Sequence, residues 1–135
     1  MPQEDYLKRQ IDQFAKALAK LLLKLTGLKN TNNSERVQIV NEVLEREAQI
    51  TIEGLLDIPA NDFVPMLLQT SKLNNEQLEL LGDVLSAISD GHPMEKELLR
   101  RTQSILEYIH SNSGTYSLER HFRIEQIRKK IYEIN

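Results

Sequence analysis

Apolar residues return at alternating steps of four and three along the start of the chain: Leu7, Ile11, Phe14, Leu18, Leu21, Leu25 and Leu28. This is an unbroken heptad seam on one face of a helix. Ala15, Ala19 and Leu22 widen it beyond a narrow stripe, as a core-facing helix requires. Lys16, Lys20 and Lys24 follow one another four residues apart on another face. A helix of about 24 residues is roughly 36 Å long, more than the side of a small domain. Such a stripe must be covered by the rest of the chain, by a second copy, by another protein or by lipid.

A chain of 135 residues suits one domain with a real core. A single helical domain is therefore expected over 1–135, with a long N-terminal helix at 1–28 and a helical body at 34–135. With 5% aromatic residues and no Trp, the core must be aliphatic. Cys is absent, which excludes disulfides, thiol nucleophiles and thiolate metal sites. No run of about 18 apolar residues exists to span a bilayer. Lys20 and Lys24 bracket the Leu run 21–23 and argue against a signal segment, so a cytoplasmic location is expected.

The net charge of −3 conceals a pattern: residues 1–34 carry +3, residues 35–97 carry −9 and residues 98–135 carry +3. Such a chain can complement itself, within one fold or head to tail between copies, or the charges can simply solvate helix faces.

Every apolar segment has the helical period, which predicts an all-α fold of five or six helices. The first runs over 3–26, with Gly27 as its stop. Ser34 is the expected N-cap of a second helix, striped by Val37, Val40, Val43, Leu44 and Ala48 and running on to residues 56–58 before Pro59. Asn61 or Asp62 caps a short third helix, and Asn74 or Asn75 caps a fourth that ends at Gly91. Pro93 begins a fifth, with Leu98, Thr102, Ile105, Leu106 and Ile109 as its stripe. Ser117 caps the last, which is expected to bury Leu118, Phe122, Ile124, Ile127, Ile131 and Ile134. Gly82, inside the fourth helix, costs about 1 kcal/mol relative to Ala; close approach of a neighbouring helix would account for it.

Sites of chemistry are sparse. Glu107 and His110 have the Glu-x-x-His spacing of carboxylate-bridged metal bundles, but no second copy accompanies it. His92 lies in a turn and His121 in a basic run. No phosphate loop, nucleophile elbow or zinc-protease motif occurs. Neither a catalytic nor a metal-binding residue is assigned, and no cofactor is expected. The stretch 13–28 has the character of a helix that lies on an anionic membrane surface. Arg120, Arg123 and the basic run 128–130 are suited to phosphates, but the acidic centre and a pI near 5.6 argue against a nucleic-acid protein.

Glu4-Asp5-Tyr6-Leu7-Lys8-Arg9-Gln10-Ile11 resembles the opening of an uncharacterised family of small helical bacterial proteins from Firmicutes and Bacteroidetes. Ile105-Leu106-Glu107-Tyr108-Ile109 and Thr115-Tyr116-Ser117-Leu118-Glu119-Arg120 are similar to that family's C-terminal half and, loosely, to tetratricopeptide helices. The resemblance implies helix-pair packing and no established activity, so no catalytic residue is carried over.

The sequence thus reads as an all-α, tetratricopeptide-like protein acting as a non-catalytic protein-interaction or scaffold module, with a protein partner or a second copy in a homodimer. Its contact residues are expected to be Leu7, Ile11, Phe14, Leu18, Leu21 and Leu25 for assembly, and Tyr6, Arg9, Arg120 and Arg123 for partner recognition. The alternatives are a peripheral membrane protein using 13–28 and a small enzyme or metal-binding protein.

Overall fold

In the computed structural model the described residues are 2–28, 32–71 and 73–134; nothing is described of the side chains of residues 2–5, 7, 11 and 71. They form seven α-helices and no strand: α1 (Pro2–Gly27), α2 (Asn33–Ala48), α3 (Ile52–Asp57), α4 (Phe63–Ser71), α5 (Asn75–Ser89), α6 (Glu95–Asn112) and α7 (Leu118–Glu133), with a 3-10 turn at Ala60–Asp62. The all-α expectation holds, and the helix count is larger than expected. No described helix is long and apolar enough to cross a membrane.

The extra helix arises where the expected second helix breaks. Gln49 takes a left-handed conformation (φ 57°) and closes α2 through its N–H to Glu45 and Leu44. Thr51 then caps α3, its hydroxyl accepting from the Gly54 N–H. Asn41 holds the corner from α2: its side-chain oxygen accepts the Ile52 N–H at 2.8 Å. The cap of α2 itself is Asn32 rather than Ser34, with its side chain accepting from Glu35 N–H. Asn74 and Gln77 form a reciprocal capping box on α5, and Ser117 caps α7 as its sequence position predicts.

The centre of the molecule is the pair α5 and α6. Their connection, residues 90–94, turns at Gly91 (φ 78°), a conformation in which a Cβ would be strained. Gly82 of α5 lies beside Thr102 and Ile105 of α6, and because only five residues join the packed pair the two helices run antiparallel. α7 returns along α6, with Arg128 on Glu107 at 3.0 Å and Lys130 on Glu95 at 3.8 Å. α1 packs against α5, and α2 covers α1 and α5. The main core joins Leu18, Leu25, Val40, Leu44, Phe63, Leu67, Leu78, Leu85, Leu98 and Ile105. A smaller core, Leu99, Leu106, Ile124 and Ile127, lies between α6 and α7.

In α7 the expected stripe divides. Ile124 and Ile127 are buried, whereas Leu118 and Phe122 are 57% and 58% exposed. The reason is helical phase. At about 100° per residue, the inward direction set by Ile124, Ile127, Ile131 and Ile134 lies nearly opposite Leu118 and Phe122.

Candidate functional site

The heptad seam is consumed by the chain itself. Phe14, Leu18, Leu21 and Leu25 are 4%, 0%, 2% and 1% exposed, each within the main core. The side chains of Leu7 and Ile11 lie outside the described residues. Burial of each of these large side chains is worth roughly 1.5–3 kcal/mol, so from Phe14 to Leu25 the seam is a core element. Of the ways to cover the stripe, the structure uses the rest of the chain.

What α1 presents outward is its polar face. Tyr6 is 59% exposed and its hydroxyl accepts from Gln10 Nε2 at 3.0 Å. Arg9, Gln13, Lys16, Lys20 and Lys24 are also exposed, and by helical phase all of these except Gln10 fall within an arc of about 80°. No ion pair among the described residues engages Lys16, Lys20 or Lys24.

These lysines form one wall of a groove of about 540 Å³ between α1 and α2. Its floor is apolar: Ala17, Leu21, Ile39 and Val43, with Leu21 buried and the others half-buried. The opposite wall carries Glu42, Arg46 and Glu47. Gln13 Nε2 donates to Glu47 at 3.0 Å and bridges the two helices, while Arg46 neutralises the same carboxylate at 3.4 Å. The groove exists because α2 buries only Val40 and Leu44 fully, leaving Ile39 and Val43 part-covered at its edge.

Arg120 and Arg123 face their own chain. Arg120 lies 3.5 Å from Glu79. Arg123 lies 3.7 Å from Glu79 and hydrogen-bonds to Asp83. They tie α7 to α5 across the edge of α6. Burial raises the Asp83 carboxyl above its ordinary value, and the Arg123 charge opposes that shift.

Glu107 does not turn toward His110: its carboxylate accepts from Gln103 and from Arg128, both at 3.0 Å. His110 instead meets the Tyr116 ring edge-on at 5.3 Å and stands 6.2 Å from His121. Among the described residues no cluster of three or more His, Asp or Glu side chains is arranged to hold a metal ion.

Two polar roles lay outside the sequence reading. Arg101 is 3% exposed and donates to the carbonyls of Leu56 and Ile58 at 3.1 and 2.8 Å and to Glu97 at 3.0 Å, with its guanidinium 5.8 Å from the Phe63 ring centre. Its signal was present: it stands three residues after Leu98 and four before Ile105, inside the apolar stripe. His92 accepts the Met94 N–H on Nδ1 at 2.8 Å and steadies the start of α6. Burial lowers its pKa, and the charge of Glu53 acts against that shift.

A second cavity, of about 510 Å³, lies where α2 meets the end of α5 and is lined by Leu22, Leu25, Thr26, Arg36, Ala87 and Asp90. Arg36 donates to the Ala87 carbonyl, and Asn33 to those of Ile88 and Asp90. Both side chains satisfy carbonyls that a helix C-terminus leaves open, which is a structural role.

Comparison with protein-family models, curated proteins and solved structures finds no match to this chain.

Proposed function

We propose that this chain is a non-catalytic protein-interaction module whose α1–α2 groove receives an acidic, amphipathic helical segment of a partner protein. The observation that carries the proposal is the conjunction of an apolar floor with a wall of three lysines that no carboxylate among the described residues engages. A helix laid along the groove would place apolar residues on Ala17, Ile39 and Val43 and its acidic residues, one turn apart, opposite Lys16, Lys20 and Lys24. Tyr6 and Arg9 extend the same face toward the N-terminus, as contact residues of the same partner.

An anionic bilayer would meet the same lysines. However, the apolar face that an interfacial helix sinks into lipid is here occupied by the core. Leu23, 76% exposed, is the one large apolar side chain of α1 beyond Tyr6 that projects among the described residues. This favours a protein partner.

The test is a titration of the labelled protein with a designed acidic amphipathic helical peptide, run beside vesicles of anionic lipid. The peptide is expected to bind, to weaken with added salt, and to lose binding with Lys20→Glu while helix content is unchanged. Vesicle binding without peptide binding would contradict the proposal.

A further inference from the structure

We propose that the outward face of α7 is a self-association surface on which two copies of this chain pair antiparallel about a two-fold axis. At about 100° per residue, Leu118, Phe122, Glu125, Lys129 and Tyr132 fall within an arc of about 80°. All five are exposed, Phe122 at 58% and Tyr132 at 84%. The stripe faces away from α6, because Ile124 and Ile127 hold the opposite side in the small core.

The occupant follows from the order of chemistry along the stripe. Aromatic, acid, base and aromatic stand at 122, 125, 129 and 132, with spacings of three, four and three. That order is its own antiparallel complement. With the axis midway between Glu125 and Lys129, Phe122 of one copy meets Tyr132 of the other, and Glu125 meets Lys129, twice over. An isologous contact of this kind requires a self-complementary patch, and a parallel arrangement would set like charges together. Leu118, one turn before Phe122, lengthens the apolar end, and Tyr116, 66% exposed, flanks it. Glu125 already takes Arg128 on one oxygen at 2.6 Å and keeps the other for the second copy. Lys129 enters no ion pair among the described residues.

Phe122 to Tyr132 spans about 15 Å of helix. One such helix pair buries an area at the low end of specific interfaces, which sets the dimer in the weak, reversible class. The surface is separate from the α1–α2 groove, so self-association and partner binding are independent.

The test is sedimentation equilibrium over a wide concentration range, with circular dichroism as the control for folding. The wild-type chain is expected to dimerise, and Phe122→Glu to be monomeric with unchanged helix content. Glu125→Lys and Lys129→Glu should each weaken the dimer by about tenfold or more, and the double exchange should restore it, because the exchanged pair is again complementary. A wild-type chain that stays monomeric to millimolar concentration, a dimer that survives Phe122→Glu, or a double exchange no stronger than the single variants would each overturn the proposal. Peptide binding in the groove should be the same for all four variants.

Discussion

Gly82 of α5 faces Ile105 of α6 across the central helix pair: a Cβ added to Gly82 would stand 3.5 Å from Cγ2 of Ile105 and 3.7 Å from its Cδ1. These are ordinary van der Waals separations, so the neighbouring helix leaves room for one methyl group and does not require glycine here. Gly82→Ala is therefore expected to stabilise the protein by about 0.5–1 kcal/mol, through helix propensity and a less flexible unfolded chain. Gly82→Leu should destabilise it, because the longer side chain must displace the fully buried Ile105. Urea unfolding of the two variants checks both signs, and a destabilised Gly82→Ala would mean that the pair is tighter than described.

Arg101 is the polar link between α6 and the segment that leads from α3 to the 3-10 turn. Arg101→Met keeps the volume but leaves the Leu56 and Ile58 carbonyls without their donor. The expected loss is about 2–4 kcal/mol. Arg101→Lys should recover only part of it, since one ammonium cannot reproduce the forked contacts. Thermal unfolding of the two variants gives the comparison; an Arg101→Lys variant as stable as the wild type would remove the forked geometry from the explanation.

The start of α6 should respond to acid through His92. Its folded pKa is lowered from the ordinary 6.5, so the unfolded state takes up a proton first. The stabilising contribution is present above 6.5 and is lost as the pH falls from there through the folded value. Protonation also occupies Nδ1, which accepts the Met94 N–H. Amide exchange at Met94 is therefore expected to speed up over this window beyond the trend of the neighbouring amides, and the pH step should vanish in His92→Gln. An unchanged step in that variant would assign it to another group.

Helical phase made most of the fold legible. The seam from Phe14 to Leu25, the stripe of α6, the start of α5 at Asn74 or Asn75 and the cap at Ser117 are local patterns, and local physics decides them. Features set by distant partners were not legible. The break at Gln49 is a left-handed non-glycine residue held by an Asn41 tether eleven residues from Ile52, and neither end signals the other. The residues expected to make partner contacts divide the same way. Arg9 and the lysine face were visible as exposed charges. The engagement of Arg120 and Arg123 with Glu79 and Asp83 required the antiparallel return of α7. Apolarity alone counts Leu118 and Phe122 as core, whereas the isoleucines of α7 fix the phase and turn those two outward.

The account rests on α1 being part of the core rather than an interface or a membrane anchor, and circular dichroism of Leu18→Asp tests this most directly. Leu18 is 0% exposed and lies within the main apolar core. An unpaired charge at such a site costs several kcal/mol or more, against a total stability of about 5–15 kcal/mol for a typical domain. The account predicts loss of the helical spectrum, or a midpoint of unfolding lowered far beyond that of an exposed control such as Leu23→Asp. A Leu18→Asp protein with the full helical spectrum and wild-type stability would contradict it.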